Sequence, residues 1–187
     1  MPQPVPQFMR FSAPDAQALS RSIHSTREEL AAAAGAGAAR IVELAADLGT
    51  MLTTARMEVA AVELLQLHAD AAQAAAGHEP AAWFWNAYAT ALQYCGRHAE
   101  AERYFMLALD LARAGGWRRV EALILHHWGR SLVEQGRLDD AQKNISQELA
   151  IRVQLGEPRQ QSSRKALAEL AALRSAGSSP GDATAST

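Results

Sequence analysis

A chain of 187 residues, 49% apolar and 20% charged, can bury a core and remain soluble as a single domain. Its formal net charge of −2 gives no bulk attraction to nucleic acid, and no apolar run approaches the roughly 18 residues that a membrane span requires. The single cysteine, Cys95, excludes an internal disulfide and a cysteine-built zinc cage.

The N-terminus lacks the charged-then-apolar order of a secretory signal, so a cytoplasmic setting is expected. Of 18 basic residues only Lys143 and Lys165 are lysine, an arginine bias that suits a GC-rich, bacterial genome. Alanine-rich segments with few β-branched runs predict helix almost throughout.

Residues 1–13, with Pro2, Pro4 and Pro6, read as an extended arm. Ser12-Ala-Pro-Asp15 can start a helix whose apolar stripe is Leu19, Ile23, Thr26 and Leu30, ending before Gly35-Ala-Gly37. Helices over 38–54 and 57–76 follow, the first with Ile41, Leu44, Leu48 and Met51 on one face. Further helices are predicted over 81–95, 98–114, 119–135 and 138–155, separated by Gly96-Arg97, Gly115-Gly116, Gly136-Arg137 and Gly156-Glu-Pro158. A last helix over 159–174 sets Leu167, Leu170 and Leu173 against a polar face, as a cap would. Residues 175–187 are Gly-, Ser-, Thr- and Ala-rich and are expected to be disordered.

The segment from Ala82 to Leu155 repeats itself at an offset of 40 residues. Ala89 and Gly129, Leu92 and Leu132, Gly96 and Gly136, Ala101 and Ala141, and Phe105 and Ile145 are the matched pairs. A fixed period of that size marks a stacked-repeat protein. Residues 38–76 align more loosely at an offset of 41, with Leu48 for Ala89, Ala55 for Gly96, Ala60 for Ala101 and Leu64 for Phe105. The pattern resembles the tetratricopeptide repeat, in a longer-period subtype like that of the kinesin light chain. The resemblance implies an all-α fold, a short right-handed α-solenoid of about three helical hairpins with a C-terminal capping helix. It divides residues 14–174 into a degenerate repeat over 38–76, repeats over 81–114 and 119–155, and a cap over 159–174.

Chemistry is sparse. His126 and His127 point about 100° apart on a helix and cannot share one ion, and His24, His68, His78 and His98 are scattered. No phosphate-binding glycine loop is present, and Cys95 beside a helix C-terminus lacks the setting of a nucleophile. No metal, cofactor or catalytic residue is expected.

Trp85, Tyr88 and Leu92 form a core stripe, matched in the next repeat by Leu125, Trp128 and Leu132. Trp83 lies about 200° from Trp85 around the helix and cannot face the same core. It begins a second stripe with Ala87, Thr90 and Tyr94, whose equivalents are Leu123, His127, Arg130 and Glu134.

In the tetratricopeptide family this stripe lines a concave groove, which implies a partner-binding set of Trp83, Asn86, Thr90, Tyr94, His126, His127, Arg130 and Glu134. An equal reading of Trp83 packs it on the preceding long helix near Leu67 or Ala71. Arg130 would meet a partner's carboxylate, or else pair with Glu134 at the surface; on either reading Arg130→Glu leaves folding nearly unchanged. The expected function is a non-catalytic interaction module, an adaptor or regulatory subunit, whose partner is another protein or peptide and neither nucleic acid nor membrane. Homo-oligomerisation is compatible with it. The alternatives are a small cytoplasmic chaperone for a secreted or membrane-targeted partner and, less favoured, a repeat-fold enzyme or nucleotide binder.

Overall fold

The turn at Gly96-Arg97 sets the pattern for the whole chain. Gly96 adopts φ +76°, its N–H reaches the Gln93 carbonyl at 2.9 Å, and the Arg97 N–H returns to the Leu92 carbonyl at 2.9 Å. A left-handed residue here satisfies the open carbonyls of the helix end, and glycine does so without a Cβ clash. The same pair of bonds recurs at Gly116, Gly136 and Gly156, and also at Arg56, which takes φ +62° without being glycine.

The structure is a computed structural model that describes residues 7–177. Among the described residues there are nine α-helices, a 3-10 turn at Ala33–Gly35 and no strand. The helices are α1 (Ala16–Ala32), α2 (Ala38–Thr54), α3 (Glu58–Leu67), α4 (Ala69–Ala74), α5 (Glu79–Tyr94), α6 (His98–Ala114), α7 (Arg118–Glu134), α8 (Leu138–Gln154) and α9 (Gln160–Gly177). Asp15 caps α1 by accepting the Ala18 N–H at 2.9 Å. Pro80 sits in the first turn of α5, where its missing N–H costs nothing.

Sequential helices pack antiparallel as α2 on α3, α5 on α6 and α7 on α8. Helix α5 lies between α2 and α7, α1 packs on α2, and α9 packs on α8. One apolar cluster joins α2 through α7, with Leu48, Leu65, Phe84, Leu92, Phe105 and Ile124 buried in it. A smaller one holds Leu132, Val133, Ala141, Ile145, Ala166 and Leu170 between α7, α8 and α9. Trp128 is only partly buried and packs against both.

The left-handed turns correct the register of the alignment expected over 38–76. The left-handed turn residue of that segment is Arg56, 40 positions before Gly96, so the offset is 40 there as well. Gly49, not Leu48, corresponds to Ala89 and Gly129; Ala61, not Ala60, corresponds to Ala101 and Ala141; Leu65, not Leu64, corresponds to Phe105 and Ile145. Ala61, Ala101, Ala141, Leu65, Phe105 and Ile145 are all fully buried. The physical reason for the close approach is visible at the glycines. A Cβ on Gly49 would stand 2.6 Å from Leu65 Cδ1, and one on Gly129 would stand 2.7 Å from Ile145 Cγ1. Gly129→Ala is therefore expected to destabilise by about 1–3 kcal/mol through overpacking, read from urea melts.

Three further differences are local. The helix expected over 57–76 breaks at His68, which ends α3 and begins α4. Helix α1 has no buried residue; Leu19, Ile23, Thr26 and Leu30 are only partly covered. Ser175, Ala176 and Gly177 belong to α9, whereas the rest of the expected disordered tail, 178–187, and the arm's first six residues lie outside the described residues.

Candidate functional site

Trp83, Ala87, Thr90 and Tyr94 fall at helical spacing along one face of α5, and Leu123, His127, Arg130 and Glu134 do so along α7. Because α5 and α7 are neighbours, the two stripes adjoin. Across them lies the chain's own segment Phe8-Met9-Arg10-Phe11.

Glu134 anchors this segment. Its Oε1 accepts the Phe8 N–H at 3.2 Å and Arg10 Nε at 2.7 Å, and its Oε2 accepts an Arg10 terminal nitrogen at 2.9 Å and Gln93 Nε2 at 3.0 Å. Burial alone would raise the Glu134 carboxyl, but the hydrogen bonds from Arg10 and Gln93 and the charge of Arg10 outweigh it and hold the carboxyl below its ordinary value. The Arg10 guanidinium also lies 4.6 Å from the centre of the Tyr94 ring.

Arg130 is 2% exposed. Its Nε donates to the Phe8 carbonyl at 3.3 Å and a terminal nitrogen donates to the Tyr94 hydroxyl at 3.0 Å. That hydroxyl accepts the Phe11 N–H at 2.7 Å. The Phe11 ring sits 4.5 Å from the Arg130 guanidinium and meets the His127 ring edge-on at 5.3 Å. Phe8 is buried in the smaller apolar cluster with Leu132 and Val133.

Behind Phe11, His127 Nδ1 lies 3.0 Å from Asn86 Nδ2 and 3.5 Å from Thr90 Oγ1. A void of about 10 Å³ remains between Phe11, Thr50, Thr53, Asn86 and Thr90, on the order of a single water. Burial, then the nearby charge of Arg130, pushes His127 well below the ordinary histidine value. The unfolded chain therefore takes up the proton first, near pH 6.5, and stability falls as the pH drops below that value. The slope from this one residue is at most about 1.4 kcal/mol per pH unit. His127→Gln should flatten the loss of stability between about pH 7 and pH 5 in urea melts. His68, lowered by burial, contributes in the same direction and remains.

Tyr94, His127, Arg130 and Glu134 thus touch residues 8–11 directly, and Asn86 and Thr90 support His127. Trp83 stands at the edge, its ring 6.4 Å from His127, and its indole N–H donates to Asp47 Oδ1 of α2 at 3.0 Å. His126 departs from the set. Its Nδ1 lies 3.3 Å from Glu148 Oε2, in a buried group where Glu148 Oε1 also accepts Ser163 Oγ at 2.7 Å and pairs with Arg152 Nε at 2.6 Å. Of the two readings of Arg130, the surface pair with Glu134 is not formed: Arg130 bonds to Tyr94 and Phe8, and Glu134 pairs with Arg10.

No family model matches the chain, and no curated protein matches it.

Among the described residues no group of three His, Cys, Asp or Glu could hold a metal ion, and no helix is long and apolar enough to cross a membrane. Burial pushes the Cys95 thiol up, away from the thiolate. A cleft of about 590 Å³ between α1 and the α2–α3 turn, lined by Leu19, Ile23, Arg27 and Met57, contains none of the eight expected residues. Sequence reasoning missed Phe8, Arg10, Phe11 and Gln93. The signal for the first three was an aromatic and cationic island, Phe-Met-Arg-Phe, inside an otherwise proline-rich arm.

Proposed function

We propose that this chain is a non-catalytic protein-interaction module, a short right-handed α-solenoid of about three tetratricopeptide-like hairpins capped by α9, which binds a partner's extended segment on the α5–α7 face. The observation that carries the reading is the way Phe8–Phe11 is held. Two backbone N–H groups and one backbone carbonyl of the segment are met by the side chains of Glu134, Tyr94 and Arg130. Side chains that satisfy a backbone, beside slots for alternate side chains, are what recognition of an extended peptide requires. The buried small residues at 40-residue intervals support the solenoid reading, since close helix crossings repeated at a fixed period build such stacks.

The test is a footprint. A partner isolated from the native host is bound to the chain lacking residues 1–11, and hydrogen exchange maps the protected amides. Protection on α5 and α7 is the expected result. Protection confined to α6 and α8 would put the interface on the other face and remove the reading.

A further inference from the structure

The α5–α7 face is built around the chemistry of what now fills it. The Glu134 side chain is wholly buried, and three of its four donors come from residues 8 and 10. Without them a buried carboxylate keeps Gln93 alone, which is costly. Any other occupant must therefore bring a cation to the same point. The two Arg10 bonds form a bidentate fork, and the same guanidinium covers the Tyr94 ring, which selects arginine over lysine. One residue further on, an aromatic ring fits between Arg130 and His127; two residues back, another fits the apolar site beside Leu132 and Val133.

The chain's own segment fills this site at a cost. Met9 adopts φ +48°, a left-handed conformation that a side-chain-bearing residue disfavours. Its hold is thereby weakened, while its short tether, residues 12–15 before α1, keeps its local concentration high. An occupant in trans must bring the same chemistry and also overcome that local concentration, which freedom from the Met9 strain helps it to do.

Resting on the proposed function, we infer that the face is a receptor site for a partner segment with an arginine between two aromatics, spaced aromatic–x–Arg–aromatic, and that residues 8–11 occupy it in cis until such a segment displaces them.

The experiment inserts a protease recognition sequence after Ser12 in the full chain and uses a labelled peptide of residues 7–13 as the probe. Before cleavage, binding should be at least about tenfold weaker than after it, because the tethered segment competes. After cleavage, one peptide should bind per chain, and the peptide carrying Arg10→Glu should bind at least about a hundredfold more weakly. Failure of the cleaved chain to take up the peptide, or uptake indifferent to Arg10→Glu, overturns the inference. So does loss of folding on cleavage, measured by circular dichroism, since residues 8–11 would then be a fixed part of the core. If light scattering shows that the uncut chain dimerises through a contact abolished by Arg10→Glu, the occupant is the arm of a second copy and the partner claim falls. A partner that protects α5 and α7 while the peptide is ignored would sink this inference and leave the proposed function standing.

Discussion

Phe105→Ala is expected to lower the unfolding free energy by about 3–5 kcal/mol, the range for removing a fully buried aromatic ring. Phe105 has no exposed surface, and its ring stacks on Trp128 of α7 at 6.4 Å with an interplanar angle of 9°. It lies on α6, which packs against both α5 and α7, so the cavity would loosen two helix pairs at once. From sequence Trp128 is the more obvious choice, because its stripe with Leu125 and Leu132 points inward. Leu125 and Leu132 are buried, but Trp128 is not fully so, and its indole nitrogen has no hydrogen-bond partner among the described residues. Trp128→Ala should therefore cost less than Phe105→Ala, and Trp128→Phe, which removes the unpaired N–H, should be tolerated. Urea melts on the three variants give the order. A Phe105→Ala chain that melts like the parent would remove the 40-residue register on which the pairing of Leu65, Phe105 and Ile145 rests.

The helices were legible because their ends are marked by glycine. Gly96, Gly116, Gly136 and Gly156 each take the left-handed conformation, and the helices between them fall within a residue or two of their expected bounds. Over 38–76 residue type places the alignment one position off, because Arg56 holds that conformation in place of glycine. The break at His68 had no proline or glycine to announce it. The stripes on α5 and α7 could be read from helical periodicity alone, which fixes the direction of a side chain but not what lies over it. Arg130 illustrates the limit. Periodicity turned it away from the core, and a residue turned away from a helical core is ordinarily exposed. It is buried here because a non-helical segment more than a hundred residues earlier in the chain covers it. Short apolar islands in arms carry no period, so nothing local predicts where they dock.

Arg130→Glu is the second large effect expected, about 3–5 kcal/mol for breaking a buried charged network and leaving its members unpaired. Periodicity alone predicts that this substitution leaves folding nearly unchanged; the burial of Arg130 reverses that. The new carboxylate would face the Phe8 carbonyl, an acceptor, and would stand one helical turn from Glu134, itself buried. It would also lose the guanidinium that covers Phe11 at 4.5 Å. Every one of these changes acts on residues 8–11, so their release should accompany the loss of stability. Arg130→Met separates charge from volume. It keeps the apolar stem, introduces no second carboxylate and leaves the Arg10–Glu134 pair in place, so its cost should be clearly smaller. Burial already pushes the Arg130 guanidinium below its ordinary value, and its removal relieves that desolvation. The decisive reading is the Phe11 amide, which donates to Tyr94 in the parent. In hydrogen exchange it should become unprotected in Arg130→Glu and stay partly protected in Arg130→Met. An Arg130→Glu chain with parental melting and a protected Phe11 amide would mean that the arm does not depend on this face.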